Sequence, residues 1–564
     1  MPNSIEFLLN QLEEAKRRFD DQSQTLIVKC LEKLSRSRFQ DASTLIRFHE
    51  ILLFLRAYPA SAEILEQAET LLNNFVERVQ RLYDDGADMA EFWDAEYSGI
   101  AGNEISAVFS YKIARFLAEQ FPQSAEVDWQ AFKRKDRLGA ILPRLIPLLD
   151  EDASVEANVP YYTWLKTAKG QRGSDLAWMI RGFAELDLSE RAKAELFDSL
   201  DLPIWWRIEN AKASRTRLRL ATKKFFYHTT PLIKRSEVSI ADEFAGKPLR
   251  VKKLSSTQGK KAINLARVAS VERYRELYGF THGDANCVSH AELGRGVEMF
   301  IYELAPEWRL PLRAYHAGMI FKNGVPVGYV ETLSLFERCE VGFNLYYTFR
   351  DGETAWLYAR LLKLFHQLFG VTYFSIDPYQ IGFHNEEAIE SGAFWFYRKL
   401  GFRSTQPGIR QLIEAEEKRL HERAGYRTPA RTLRKIAAGH LVFELHKPES
   451  DWDGFQIRNL GLNLQKHIAK NFAGSAKKMK AVTIKEIARE LRIQLASFSE
   501  SEHRLFENFA LVLALINDFH TWTPGEKQLL ADIIEAKLQR SENDYLALQQ
   551  KHSRLRDAVI RSGF

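Results

Sequence analysis

The chain is poor in cysteine, with Cys30, Cys287 and Cys339 its only three in 564 residues. They are far apart and odd in number, which excludes a disulfide framework and the paired spacing of a structural zinc site. No stretch reaches the roughly 18 uninterrupted apolar residues needed to span a bilayer. The opening segment, MPNSIEFLLNQLEEAKRRF, is amphipathic with mixed charge and lacks the n-region and h-region of a secretory leader. These absences point to a reducing, cytoplasmic setting. The formal charge is only +5, which permits a local basic patch but does not imply a nucleic-acid partner. No clear internal period marks a solenoid, although a helical repeat stays open. Gly294-x-Gly296 in LGRGVEMF is too short for a dinucleotide fingerprint and reads as a turn.

What is present is ordinary for a globular protein: 45% hydrophobic and 27% charged residues. Aromatics, at 12%, favour large cores or aromatic-lined grooves. The length predicts about three domains. The fold class is read as α+β, a central mixed β-sheet with helices, flanked by a mainly α N-terminal domain (residues 1–235) and an α-helical C-terminal region (residues 448–564). In the first part, LIRFHEILLFLRAYP, EILEQAETLLNNFVERVQRLY and ISAVFSYKIARFLAEQF carry apolar residues at helical spacing. In the last, EIARELRIQLASF, RLFENFALVLALINDF and GEKQLLADIIEAKLQRSENDYLALQQKH do the same.

The pattern changes across residues 246–447. PLRVKKLS predicts a strand, and TQGKKAINLARVASVERYREL a helix with Thr257 as N-cap. After an irregular stretch, Asn323-Gly324 between two apolar runs predicts a hairpin. EVGFNLYYTF predicts a strand, ETAWLYARLLKLFHQLF a long helix stopped by Gly370, and VTYFSID a buried strand. SGAFWFYRKL predicts an aromatic helix closed by Gly401, and GHLVFELH a last strand.

This order, with Glu340-Val341-Gly342 running into Tyr347 and Arg350 and with Ala393-Phe-Trp-Phe-Tyr397-Arg-Lys-Leu-Gly401-Phe402 near its end, resembles the GNAT superfamily of acyltransferases. The resemblance implies a CoA pyrophosphate held by backbone N–H groups at a helix N-terminus. The family's turn reads Gln/Arg-x-x-Gly-x-Gly/Ala; here it is Arg350-Asp351-Gly352-Glu353-Thr354-Ala355, with Glu353 where the family has glycine. The implied cofactor contacts are Tyr347, Arg350, Gly352, Thr354, Ala355 and Asn385, and the implied co-substrate is acetyl-CoA or another acyl-CoA, with no metal. Asn385 stands further before Tyr397 than the family's spacing, with Glu387 to Gly392 read as a short insertion. The resemblance further implies Tyr397 as general acid and Glu340, or alternatively Glu331, as base toward a small-molecule or peptide amine. A backbone N–H near Tyr346 or Tyr347 would polarise the thioester carbonyl.

The structural alternatives are a core role for Tyr397 and a strand-edge role for Glu340. For the domain as a whole, they are a non-catalytic binding or scaffold module and an RNA-linked transferase using an aminoacyl donor. Only the basic stretch SRTRLRLATKKFFYH (residues 214–228, with Arg215, Arg217, Arg219, Lys223 and Lys224) supports the last, and a solvated face is the preferred reading for it and for GYRTPARTLRK. His282, Asp284 and Cys287 in THGDANC read as a loop, because no second cluster completes a metal site. His384 and Asn385 are expected at the mouth of an acyl cleft. Trp93, Asp94, Glu96 and Tyr97, then Glu156, Asn158, Tyr161, Tyr162 and Trp164, are polar and aromatic clusters that line a ligand cavity or cap helices. Oligomeric state is not legible.

Overall fold

Residues 1–235, expected to be helical, also carry a three-stranded antiparallel sheet in the computed structural model. It consists of β1 (Glu104–Val108), β2 (Ala125–Val127) and β3 (Pro203–Arg207), in the order β1-β3-β2. The apolar spacing in ISAVFSYKIARFLAEQF conceals two elements: β1, and a helix that begins only at Tyr111 after an extended Ser110. Ile105 is taken into the sheet by pairing with Trp206, a partner about a hundred residues away that no local period can reveal. The structure describes residues 4–147, 159–208, 211–222, 224–446 and 451–563, so Glu156, Asn158 and Lys223 lie outside the described residues.

A nine-stranded mixed sheet organises the rest. Its strands are β4 (Arg250–Lys253), β5 (Gly283–Gly294), β6 (Val297–Leu304), β7 (Ala314–Lys322), β8 (Val325–Leu335), β9 (Arg338–Leu345), β10 (Tyr373–Ile376), β11 (Arg403–Ser404) and β12 (Leu441–Glu444). Their spatial order is β11-β12-β10-β9-β8-β7-β6-β5-β4. β9 and β10 run parallel, and every other neighbouring pair is antiparallel. The single parallel step is made by the crossover helix Thr354–Phe369, closed by Gly370 in the left-handed region at φ 68°.

The expected hairpin joins β7 to β8, with Asn323 and Gly324 at φ 48° and 79°. Its turn is not at the surface. The Asn323 carboxamide donates to the carbonyls of Ala57 (2.9 Å) and Phe226 (3.0 Å) and accepts from the Phe226 N–H (2.8 Å). Two expectations are corrected nearby. THGDANC is not a loop: Gly283 to Cys287 open β5, and His282 stacks on Trp308 at 3.8 Å. The first helix of the segment is Ser256–Val271, capped by Ser255 in a reciprocal box with Gln258 rather than by Thr257.

β7 is buried along its whole length, because both faces of the sheet are covered. On one face, Ile320, Val330 and Val341 join a core with the helix Thr354–Phe369, the N-terminal helices and the C-terminal helices. On the other, Tyr302, Ala317 and Met319 pack with the helix Ser256–Val271 and the inner face of the small sheet. The C-terminal region is stitched to the large sheet. Tyr545 donates to the Leu312 carbonyl (2.5 Å), and Gln549 accepts from the Phe336 N–H (2.8 Å). Lys537 and Glu542 form a fully buried ion pair at 2.7 Å.

Candidate functional site

The parallel pair β9–β10 is short. Arg338, Cys339 and Glu340 pair with Tyr373, Phe374 and Ser375, and there the pairing ends. β9 continues to Leu345 while β10 stops at Ile376, so the β9 backbone beyond Glu340 has no strand on that side. Into this opening comes Gln380, from the turn Pro378–Ile381. Its side-chain oxygen accepts from the Phe343 N–H at 3.4 Å, and a methyl group on Gly342 would stand 2.9 Å from its nitrogen.

Glu340 sits where the two strands part. Its carboxylate, that of Asp377 and the His440 imidazole bring ligand-type atoms within 4.8 Å of one another. Burial pushes the Glu340 carboxyl above its ordinary value, against the pull of Arg338 at 3.8 Å and Arg313 at 4.0 Å. Burial also holds His440 down to about 4, so its ring is neutral at pH 7. The same three side chains are the ones that could hold a cation, but the two guanidiniums beside Glu340 oppose one. The arrangement suits proton handling better. Glu331 lies on the same sheet face, opposite Gly342, but accepts a hydrogen bond from the Tyr315 hydroxyl. Burial raises its carboxyl too.

Tyr397, on the short helix Ala393–Arg398, is 4% exposed. Its ring lies 5.4 Å from that of Tyr358 and 5.8 Å from that of Phe402, and burial drives its phenol well above the ordinary value. Tyr358 is fully buried, and its hydroxyl has no hydrogen-bond partner among the described residues. A buried unpartnered hydroxyl is costly unless something else satisfies it.

The turn from Tyr347 to Ala355 leads into the helix Thr354–Phe369, whose first turn has no side-chain cap. The N–H groups of a helix start are the donors an anion needs, and here Glu353, Ala355 and Trp356 are buried. Glu353 does not face these donors. It is 3% exposed, accepts from the Ile233 N–H at 3.1 Å, and is paired with Arg295 at 2.7 Å and Lys322 at 3.9 Å. Burial brings Lys322 down to about 7 even with Glu353 beside it. Asp351 lies 3.7 Å from Lys16 and 3.5 Å from Arg17. Gly352 is required by contact, since a Cβ there would meet the Tyr58 hydroxyl at 2.3 Å. Thr348 donates to Glu50, which also pairs with Arg215 at 2.8 Å and His49 at 2.9 Å. The N-terminal helices therefore clamp this turn from behind.

The remaining expected contacts divide. Tyr347 is 60% exposed, and Arg350 reaches Glu387 at 2.6 Å across the expected insertion. Thr354 donates to the Arg350 carbonyl at 3.0 Å, and Ala355 is buried. Asn385 caps the helix Glu386–Glu390 through the Ala388 N–H (3.2 Å) and donates to the Tyr379 carbonyl (3.1 Å). The His384 ring meets that of Phe383 edge to face, with centroids 4.2 Å apart. The basic stretch is partly internal, with Arg215 buried against Glu50 and Arg219 paired with Glu69 at 2.6 Å. Sequence reasoning missed Gln380, Asp377, His440, Tyr358, Tyr58 and Glu50. Only Asp377, ending VTYFSID, carries a signal, as a carboxylate just past a buried strand. No protein-family model, no curated protein and no solved structure matches the chain.

Proposed function

We propose that the chain is an acyl-CoA-dependent N-acyltransferase, with a GNAT-type domain over residues 246–447, acetyl-CoA or another acyl-CoA as co-substrate, and a small-molecule or peptide amine as acceptor. The observation that carries the reading is the opening of β9 from β10 directly after Glu340, with an uncapped helix N-terminus at the far end of the same strand. Such an opening offers backbone groups to a pantetheine arm, and the helix start offers N–H groups to its pyrophosphate. Glu353 does not oppose this, because its charge is spent on Arg295 and Lys322.

In this reading the amine attacks the thioester carbonyl, the new C–N bond forms and the C–S bond breaks. Glu340, made more basic by burial, takes the proton from the attacking nitrogen. Tyr397, kept protonated by its own burial, gives a proton to the departing thiolate and regains one from solvent. His440, neutral beside Asp377, connects Glu340 with solvent.

A second reading, a non-catalytic binding module, is favoured by Gln380 on the Phe343 N–H and by Glu387 on Arg350. Thermal unfolding of the full chain with acetyl-CoA separates the two. A ligand at about 100 times its Kd adds ~2.7 kcal/mol, a rise of several degrees. No rise at millimolar acetyl-CoA or longer acyl-CoAs would leave the second reading.

A further inference from the structure

We infer that the outer face of the small N-terminal sheet is a binding trough for a lysine- or arginine-bearing peptide segment, independent of the acyl-transfer site. The register places Ser106, Trp205 and Glu126 side by side on one face of β1, β3 and β2. The opposite face, with Ile105, Ile204, Trp206 and Val127, is buried in the core. Trp93, 53% exposed, and Tyr274, held in the left-handed region at φ 52°, wall a trough of about 910 Å³ over the outer face.

Three carboxylates line it, and none has a cationic partner among the described residues. Asp128 accepts from the Ser106 hydroxyl (2.6 Å) and from the N–H groups of Gln130 (3.1 Å) and Ala131 (2.9 Å). Glu126 accepts from the N–H groups of Leu176 (2.9 Å) and Asp175 (3.1 Å). None of these donors carries a full charge, and the two on Glu126 open the helix Asp175–Glu185, whose N-terminus favours a carboxylate. The Glu104 side chain makes no hydrogen bond or ion pair among the described residues, and Arg207 stands opposite it in the β1–β3 register. Carboxylates set among indole rings select a cation with an apolar stem. The chain already shows this chemistry, since the Arg207 guanidinium lies 4.2 Å from the centre of the Trp205 ring.

The trough is open rather than enclosed. Exposed Trp93, Ala95, Ser106 and Gln130 form part of its wall, and its volume is at the upper end of the ~300–1,000 Å³ typical of ligand sites. A chain segment laid across the sheet uses that shape, while a small cation would leave much of it wet. Phosphate-bearing polymers are repelled by the three carboxylates.

The test is calorimetric titration of the full chain at low salt with penta-lysine, penta-alanine and spermine. Penta-lysine is expected to bind with a Kd below about 1 mM, and penta-alanine not to bind. Glu104→Gln and Trp93→Ala, at positions whose side chains make no hydrogen bond or ion pair among the described residues, should each weaken penta-lysine about fivefold. Glu535→Gln, paired with Arg540 on a distant surface helix, should leave it unchanged. Absence of heat up to about 1 mM penta-lysine, binding unchanged in both trough variants, or spermine binding as tightly as the peptide would each overturn the inference.

Discussion

Glu353 stands where the resemblance implies a glycine. Beside a pyrophosphate its charge would be repulsive, but it is turned into a buried pair with Arg295 and Lys322. Nothing adjacent in the chain foretells that pairing. The motif resemblance singles out Glu340 and Tyr397, whereas Asp377 and His440 come to Glu340 from segments read only as strand ends. At this scale two catalytic predictions follow from the proposed chemistry. Tyr397→Phe should lower kcat by about 10²-fold or more with little change in KM, measured by thiol release from acetyl-CoA. Glu340→Gln should lower the rate similarly and remove the acidic limb of the pH–rate profile. That limb should be centred above the ordinary 4.5, because burial raises the carboxyl and the base works only once deprotonated.

Glu50 gives a stability prediction. Burial works against its charge, but Arg215, His49 and Thr348 outweigh it and hold the carboxyl at about 2, below the ordinary 4.5. The unfolded chain therefore takes up this proton first as pH falls. The stabilisation is full above pH 4.5 and is lost as pH drops toward 2, on the order of 3 kcal/mol in all. Urea midpoints measured from pH 6 to pH 3 should fall more steeply for the wild type than for Glu50→Gln. Parallel curves would show that Glu50 is not the linked group.

Among the elements, the turn before the helix Thr354–Phe369 joins the N-terminal helices to the large sheet. Gly352 has Tyr58 against it at 2.3 Å from a would-be Cβ, so Gly352→Ala must displace that ring. The substitution should cost about 1–3 kcal/mol, and combined with Tyr58→Ala the two costs should be less than additive. Additive effects in a double-mutant cycle would mean that the turn yields on its own. The elements legible in sequence were those with local signals. The Asn323-Gly324 turn, the apolar stripe ending at Gly370 and the alternating β9 are of this kind. β5 and β6 were lost in an irregular stretch because Gly283 to Cys287 is polar and half-exposed, without the alternation a strand reading needs. The small sheet was missed because its strands are three to five residues long and pair across a hundred positions.

For the whole molecule, the large sheet is covered by helices from both ends of the chain. One continuous core runs from Leu8 through Val330 and Val341 to Ile560. A fragment of residues 246–447 alone would expose the surface around β7 that Tyr545 and Gln549 now seal, and the turn that Tyr58 and Glu50 support. It should lose near-ultraviolet dichroism while keeping helical signal; a native-like near-ultraviolet spectrum would contradict this dependence.

Calorimetric titration of the full chain with acetyl-CoA, for the wild type and for Gln380→Ala, tests directly whether the opening between β9 and β10 admits an acyl-CoA. The expected result is a Kd in the micromolar range, shifted when the Gln380 carboxamide no longer occupies the Phe343 N–H. No heat for either protein at millimolar acetyl-CoA would contradict it.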